Sequence, residues 1–297
     1  MDKVSIILST YKTEKYLERY FQSVCDQTYF EKLEVSIVMN DCSDYERTIV
    51  EKFRSKINMI VTEVPRESLY ASWNKAINQS SGDLLVTWNA DDLRVPDSIE
   101  RMVNAFKDYP SIGWVYGDFH IVKKFGDFEG KLVKQPDWDI DIATSGAIGG
   151  PFFMWKRNLI SRIGYFDEQF LSGADFDYTV RLSLISRGKR LVGTLGYFTN
   201  EGFGLSTNKT NLQTIERTAI QLRYGIYQTI DMYYIPYALN YEIKHIYALG
   251  QVSKIQDLIV NYDTLLKSRN ISLYLMIFLG WRFTLKTMLK NLYFRCI

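Results

Sequence analysis

The chain has 297 residues, of which 46% are hydrophobic and 24% charged, so a disordered tail, a collagen-like fibre and a coiled coil are excluded. The 36 Lys and Arg side chains nearly balance the 34 Asp and Glu side chains, which excludes a protein that binds nucleic acid through a basic face. The three cysteines are widely spaced and have no CxxC pattern, which favours neither a zinc site nor a disulfide framework. This pattern fits a reducing compartment, and we expect a cytoplasmic protein.

Short β-branched runs alternate with helical patterns in the amino-terminal half. The strand-like runs are residues 4–10, 34–41, 57–64 and 83–89. Apolar residues at helical spacing lie between them, and Pro96 begins a further helical pattern. This alternation predicts an α/β fold with a mainly parallel sheet flanked by helices. Looser strands follow, then a helix over 174–186 and a strand over 191–197.

Strand signals largely stop near residue 205. Four helical patterns follow, at residues 212–235, 237–250, 252–268 and 272–294. We therefore expect an α/β domain over residues 1–205 and a helical region over 206–297. Neither an export signal nor a membrane-spanning helix is expected, because the apolar run 271–281 is shorter than the roughly 20 residues that span a bilayer.

The carboxyl-terminal segment is locally basic. After Asp263 there is no acidic residue, while six basic ones remain: Lys267, Arg269, Arg282, Lys286, Lys290 and Arg295. One interpretation is a helix lying on the anionic inner face of a membrane. The other is a helix packed on the first domain with a solvated basic edge, and the pattern leaves both open.

Polar residues follow the predicted strands at the edge where an open parallel sheet binds its ligand. Asp91 and Asp92 come directly after an apolar strand, and two carboxylates there are costly unless a cation is bound. A divalent metal that also holds a diphosphate is one interpretation, and a solvated pair that caps the helix after Pro96 is the other. No GxGxxG or GxxxxGK[ST] sequence is present, so neither a dinucleotide site nor a P-loop is predicted.

Four segments carry a family resemblance by their sequence and order. They are VSIILSTYKTEKYLERYFQSVCDQTY, EVSIVMNDCSD, RESLYASWNKAINQSSGDLLVTWNADD and GGPFFMWKRNLISRIGYFDEQFLSGADFDYTVRL. Together they resemble the family 2 glycosyltransferases, inverting enzymes of the GT-A fold, over about residues 3–205. The later NEGFGLST and IERTAIQLRYGIY are similar to bacterial surface-polysaccharide transferases.

The resemblance implies a metal-dependent transfer of a sugar from a nucleotide sugar, with a UDP-sugar as the expected donor, to a glycan or lipid-linked glycan acceptor. The implied cofactor is Mn²⁺ or Mg²⁺. The implied roles are base and ribose binding for Thr10, Tyr11 and Asp41, metal binding for Asp92, a sugar or ribose contact for Asp91, and general base for Asp175. An inverting transfer needs one base and one electrophile at the leaving diphosphate, and no covalent nucleophile.

Three positions depart from the family pattern by losing a carboxylate. They are Asn40, Asn89 and Ala174. These losses motivate an alternative, a catalytically silent relative that serves as a scaffold in polysaccharide assembly. A nucleotidyltransferase is a third hypothesis, disfavoured because no Gly-rich phosphate loop follows the first strand. Asp177 is expected to be structural and to pair with Arg181 at i+4.

Some further residues have two interpretations. Trp88 and Trp155 either stack on a sugar ring or belong to the core, and the core is the expectation for any single Trp. His120 and His245 are expected to be packed or surface residues. Two segments also have two interpretations each. Residues 149–151 are either a turn or part of a sugar pocket, and residues 201–207 are either a loop that closes over the diphosphate or a plain connector.

Overall fold

The computed structural model describes residues 2–202, 211–224, 226, 229–234 and 237–238, and the backbone of 246–248 and 251–253. Within residues 2–202, nine strands form one sheet. The strands are β1 (Val4–Thr10), β2 (Leu33–Asn40), β3 (Met59–Val64), β4 (Leu84–Thr87), β5 (Leu93–Arg94), β6 (Trp114–Val122), β7 (Lys131–Val133), β8 (Phe153–Lys156) and β9 (Gly188–Thr199). The helices are α1 (Glu14–Cys25), α2 (Asp44–Arg54), α3 (Leu69–Gln79), α4 (Ser98–Asp108), α5 (Ile140–Thr144), α6 (Ile160–Ile163), α7 (Ala174–Ile185) and α8 (Leu212–Tyr224).

The first four strands form the parallel part of the sheet that the sequence predicts. Their order is β3-β2-β1-β4, and each neighbouring pair is parallel. Every residue of β2 is buried, as expected for a central strand that is covered on both faces. The predicted α/β fold with helices flanking a mainly parallel sheet is therefore confirmed.

Beyond β4 the sheet is mixed, and its order continues β8-β6-β9-β5. β8 runs antiparallel to β4 and to β6, whereas β6 and β9 are parallel. Because Met154 of β8 pairs with Val86 near the end of β4, the beginning of β8 lies beside the end of β4. The ends of β1, β2, β4 and β9 and the beginning of β8 therefore lie on one side of the sheet, which we call the carboxyl edge.

Apolar cores fill both faces of this sheet. Ile6 and Leu8 belong to one core and Ile7 to the other, as the alternation of side chains along a strand requires. The first core includes residues of α1, α2 and α4, and the second includes residues of α3 and α7. Trp88 lies in the first core and Trp155 in the second, each at most 1% exposed, so the core interpretation of both is confirmed.

Serine caps begin the helices that follow β2 and β3. Ser43 accepts a hydrogen bond from the Glu46 backbone N–H at 3.2 Å, and the Glu46 carboxylate accepts one from the Ser43 N–H at 3.1 Å. Ser68 accepts from the Ala71 N–H at 3.2 Å. Since α2 begins so soon after β2, the turn between them is tight, and Asp41 in it has a φ of 43°.

The carboxyl-terminal region differs in part from the prediction. The helix α8 lies within the predicted helical region, but β10 (Ile246–Ala248) and β11 (Gln251–Ser253) pair antiparallel where helices were predicted over 237–250 and 252–268. The helical prediction is wrong at five of these six residues, because Gln251 lies between the two predicted helices. The basic segment after Asp263 lies outside the described residues. Among the described residues, no helix is long and apolar enough to cross a membrane.

Candidate active site

Thr10 and Asp41 both lie at the carboxyl edge, as the parallel pairing of β1 and β2 requires. Thr10 is 1% exposed, and its hydroxyl has no hydrogen-bond partner among the described residues. Asp41 is exposed, and its backbone N–H donates to the Val64 carbonyl at 2.9 Å. The edge therefore offers one buried hydroxyl and one exposed carboxylate close to the ends of neighbouring strands.

Tyr11 is covered by an arginine that the sequence analysis did not single out. The Arg66 guanidinium lies 3.7 Å from the centre of the Tyr11 ring, and Lys12 lies 5.2 Å from the same ring. Arg66 follows β3, whose end lies at the carboxyl edge beside that of β2. A guanidinium stacked on a phenol ring forms a flat cationic surface, which suits a nucleobase or an anionic group. A single arginine in a loop carries no sequence signal for this placement.

Asn40 is a buried side chain with a structural role. Its amide donates to Ser9 at 3.0 Å and to Ser72 at 2.7 Å, and its oxygen accepts from the Glu67 N–H at 3.1 Å. These bonds join the ends of β1 and β2 to the beginning of α3. The replacement of a carboxylate by an amide here therefore has a structural use, because an amide can donate to two hydroxyls.

Asp91 and Asp92 occupy different environments after β4. Asp92 is 2% exposed, and its carboxylate accepts from the Thr199 N–H at 3.0 Å and lies 3.4 Å from the Asn89 amide. Asp91 is partly exposed. Asp92 therefore ties the end of β4 to the end of β9, and Asp91 is the more accessible carboxylate of the pair.

Both carboxylates are held in unfavourable electrostatic surroundings. Burial raises the pKa of Asp91, and burial followed by the charge of Asp91 raises the pKa of Asp92 well above its usual range. Arg94, itself buried, opposes the second shift only in part. A bound cation would relieve this repulsion. Among the described residues, no cluster of three or more His, Cys, Asp or Glu side chains suits a metal ion.

Asp175 lies in a separate cavity of about 260 Å³. This cavity is lined by residues that include Gly146, Gly150, Asp175, Phe176, Thr179 and Arg217. Since Gly150 precedes β8, one wall of the cavity belongs to the carboxyl edge. Gly149 and Gly150 have φ values of 116° and 63°, so the turn interpretation and the pocket-lining interpretation of residues 149–151 both apply.

The environment of Asp175 suits a proton acceptor. Burial raises the pKa of this carboxyl to about 6, and the charge of Glu216 adds to the increase. Hydrogen bonds from the backbone N–H groups of Phe176 and Asp175 lower the pKa and offset part of it. The Phe176 N–H donates to it at 2.8 Å. Tyr70 of α3 is also near it, because the charge of Asp175 contributes to raising the pKa of Tyr70. A carboxylate with a pKa near 6 is mostly ionised at neutral pH and still binds a proton readily.

Asp177 is structural, and its predicted ion pair with Arg181 is confirmed. Arg181 donates to Asp177 at 2.9 Å and 2.5 Å, and Arg223 of α8 donates to the same carboxylate at 2.7 Å. Arg223 also pairs with Asp167 at 2.8 Å, and all four side chains are at most 1% exposed. This network fixes α7, and therefore Asp175, against α8.

Two residues of α8 reach the Asp175 region, and the sequence analysis assigned neither a role. Glu216 is fully buried and accepts from the N–H groups of Leu171 and Ser172, each at 2.8 Å, just before α7 begins. Arg217 lines the cavity and donates to the Ser145 carbonyl at 2.5 Å. Both lie in IERTAIQLRY, a segment whose pattern predicts a helix and assigns no role to either residue.

The remaining expectations have mixed outcomes. His120 is partly exposed, and a ring nitrogen lies 3.2 Å from the Gly130 carbonyl, so the packed or surface interpretation holds for it. Glu201, at the start of segment 201–207, accepts hydrogen bonds from the Tyr16 hydroxyl at 2.9 Å and from the Phe125 N–H at 3.2 Å, and it forms an ion pair with Lys15. His245 and residues 203–207 lie outside the described residues.

The fold is a class of α/β fold in which the predicted nucleotide-binding and metal-binding residues lie at the carboxyl ends of parallel strands. The sequence model for glycosyl transferase family 2 matches residues 5–162, more than half of the chain. The chain belongs to glycosyl transferase family 2.

Proteins similar to this chain are named as glycosyltransferases. An uncharacterized glycosyltransferase of Methanocaldococcus jannaschii is 25% identical over 195 residues, which are 61% of this chain and 65% of that protein. This chain therefore covers less than two thirds of that relative. A Methanococcus voltae protein named dolichyl N-acetyl-alpha-D-glucosaminyl phosphate 3-beta-D-2,3-diacetamido-2,3-dideoxy-beta-D-glucuronosyltransferase is 23% identical, with 94% of each chain covered. The crystal structure of S. aureus TarS with UDP superposes with a TM-score of 0.61 at 20% identity, covering 80% of this chain and 71% of that one, which shows the GT-A fold.

Proposed function

We propose that this glycosyltransferase is a metal-dependent inverting enzyme that transfers a sugar from a nucleoside diphosphate sugar, with a UDP-sugar as the expected donor, to a hydroxyl of a glycan or lipid-linked glycan. One observation carries the proposal. Asp91 and Asp92 lie together at the carboxyl edge in surroundings that disfavour their charge, and the same edge borders a cavity that holds the carboxyl of Asp175. The carboxylate pair suits a cation and a diphosphate, and the cavity suits an acceptor hydroxyl.

The nucleoside end of the donor is assigned to Thr10, Tyr11 and Asp41. The buried Thr10 hydroxyl is a donor that a base or ribose oxygen would satisfy. The Tyr11 ring, covered by Arg66, supplies a flat face for a base. Asp41 is exposed at the end of β2, where its carboxylate is free to accept from a ribose hydroxyl or a base N–H.

The metal is assigned to Asp92, with Asp91 beside it on the sugar or ribose. The oxygens of Asp92 already accept hydrogen bonds, and each keeps a second lone pair for an ion. Because Asp91 is the more accessible carboxylate, it is the one of the pair that can reach a hydroxyl of the sugar or ribose. When bound, Mn²⁺ or Mg²⁺ supplies positive charge that stabilises the leaving diphosphate.

Asp175 is assigned the proton transfer. The acceptor hydroxyl in the cavity gives its proton to the Asp175 carboxylate while its oxygen forms a bond to the anomeric carbon. The bond from that carbon to the diphosphate oxygen breaks on the opposite side, which inverts the configuration. A positioned base of this kind contributes roughly 10²-fold to 10⁴-fold to the rate.

A donor panel tests this function. Melting temperature and release of nucleoside diphosphate are measured for nucleotide sugars with Mn²⁺ and with a chelator. We expect one donor to stabilise the protein and to be turned over only with the metal. A stabilising donor that is never turned over, with any acceptor offered, would favour the silent scaffold instead.

The proposal also covers the class of acceptor and the place where the enzyme works. The M. voltae relative is named for a lipid-linked sugar substrate, which supports a glycan or lipid-linked acceptor here. Such an acceptor would bring the enzyme to a membrane, and the basic segment after Asp263 would favour an anionic surface. Sedimentation with neutral and anionic liposomes at two salt concentrations tests this, because attraction to an anionic surface weakens as salt screens it.

A further inference from the structure

Arg217 is the cationic side chain of the Asp175 cavity among the described residues. Its guanidinium donates to the Ser145 carbonyl at 2.5 Å and lies 5.5 Å from the centre of the Phe176 ring. No described carboxylate lies within ion-pair distance of it, in contrast to Arg181 and Arg223 of the neighbouring network. The guanidinium has five N–H groups, and its single hydrogen bond to the described residues leaves others available to a ligand in the cavity.

The backbone around Arg217 leaves space for a ligand. Gly146 has a φ of 81°, and a Cβ atom there would lie 2.8 Å from the Phe176 ring and 3.1 Å from the Arg217 guanidinium. A side chain at this position would therefore displace both groups. The glycine thus keeps one side of the guanidinium open beside the ring.

We propose that Arg217 is an anion subsite for the acceptor, which carries a phosphate or carboxylate group close to the hydroxyl that reacts. This inference rests on the proposed function of the Asp175 cavity and names the substrate class of that cavity. Arg217 is exposed on the wall of the cavity and has no described carboxylate partner, so its guanidinium can bind an anionic oxygen group there with two parallel hydrogen bonds. Partial burial of the guanidinium lowers the pKa of Arg217, as expected for a cation without an anionic partner.

The leaving diphosphate of the donor is also an anionic oxygen group. The anion bound by Arg217 could therefore come from the donor or from the acceptor, and the two sources must be distinguished. The donor carboxylates Asp91 and Asp92 do not line this cavity, whereas the base Asp175 does. An anion bound to Arg217 is thus placed on the acceptor side.

Protection of Arg217 from an arginine-specific dicarbonyl reagent tests the proposal on the wild-type protein. The labelling rate at Arg217 is followed by peptide mass spectrometry with glucose, with glucose 6-phosphate, with glucuronate, and with UDP and Mn²⁺. Arg54 serves as the internal control, because it is exposed on α2 and pairs only with Glu51 among the described residues. We expect at least one of the two anionic sugars to slow labelling at Arg217 but not at Arg54, and glucose to have no effect.

Each other outcome overturns the proposal. Equal labelling of Arg217 with glucose and with both anionic sugars would contradict an anion subsite. Protection by UDP and Mn²⁺ would assign Arg217 to the donor diphosphate instead. Release of nucleoside diphosphate from the donor is measured on the same preparation, so that a failure of the proposed function is recognised separately.

Variants give a second measurement once an acceptor series is available as neutral and anionic members. The wild type is expected to prefer the anionic member by about tenfold or more in kcat/KM, as a charge-assisted pair predicts. Arg217→Gln should lose this preference, and Arg217→Lys should keep part of it. Loss of the preference in both variants with an unchanged melting temperature would indicate that the fork geometry matters, and retention of it in Arg217→Gln would refute the assignment.

Discussion

Replacement of Asp175 by Asn is expected to remove transfer activity and to stabilise the fold at neutral pH. Burial raises the pKa of this carboxyl from 3.8 to about 6, so its charge is unfavourable in the folded protein. The amide has the same shape and keeps an oxygen that accepts from the Phe176 N–H, which holds Asp175 at 2.8 Å. The substitution therefore removes the charge without removing the local hydrogen bond.

The magnitude follows from the difference between the two pKa values. Because the folded protein binds the Asp175 proton more tightly than the unfolded chain, its free energy of unfolding falls as the pH rises from about 4 to about 6. Above this window the ionised carboxylate costs about 3 kcal/mol, and Asp175→Asn should recover roughly 2 to 3 kcal/mol of it. For a protein of this size that corresponds to a rise in melting temperature of about 5 °C.

The assay is thermal unfolding of the wild type and Asp175→Asn at pH 4 and pH 7.5, with donor binding and transfer measured on the same samples. Transfer should fall roughly 10²-fold to 10⁴-fold while donor affinity is retained. The wild type should also lose about tenfold in kcat/KM per pH unit below about pH 6. Asp108→Asn, on the exposed end of α4, is the matched control and should change neither quantity.

Two results would refute this reasoning. A loss of stability in Asp175→Asn that is the same at both pH values would show that the carboxyl is a structural group. Transfer that survives within a few-fold would show that Asp175 is not the base.

Three further predictions concern the carboxyl edge and its support. Asp92→Asn should keep the fold and lose the Mn²⁺-dependent part of UDP affinity, measured by calorimetry with and without chelator; equal affinity in both proteins under both conditions would contradict the metal assignment. Asp177→Asn should lower the free energy of unfolding by about 3 to 5 kcal/mol in a denaturant titration, because it leaves two buried arginines without their shared carboxylate; a change below 1 kcal/mol would count against the network. Gly146→Ala should raise the acceptor KM with UDP affinity unchanged, since its Cβ would lie 2.8 Å from Phe176; an unchanged acceptor KM would show that the cavity does not hold the acceptor.

The elements that were predictable from the sequence are those with strong periodicity and clear ends. The run Val4–Thr10 is β1 without any change of boundary, and the helix after Pro96 and the helix at Ala174 are both present. The short strand Leu93–Arg94 was not predictable, because two residues show no period and their pairing with β9 is remote in sequence. The same holds for the antiparallel placement of β8, which decides where Gly150 lies.

The residues of the candidate site that follow a strand or begin a helix were predictable from the sequence, whereas those within α8 were not. Asp91, Asp92 and Asp175 stand out because carboxylates follow an apolar strand or begin a helix. Arg217 and Glu216 did not stand out, because a charged pair on a helix usually indicates a solvated face. Their importance comes from the packing of α8 against α7 through Arg223, which no local pattern encodes.

The anomeric configuration of the transfer product tests the central claim most directly. The product formed from a turned-over nucleotide sugar is analysed by the proton coupling constant at its new anomeric centre, for the wild type and for Asp175→Asn. The account predicts a configuration opposite to that of the donor, formed by the wild type only with Mn²⁺ or Mg²⁺ present and formed at least about a hundredfold more slowly by the variant. A product that retains the donor configuration, or one formed at the same rate by both proteins, would contradict it.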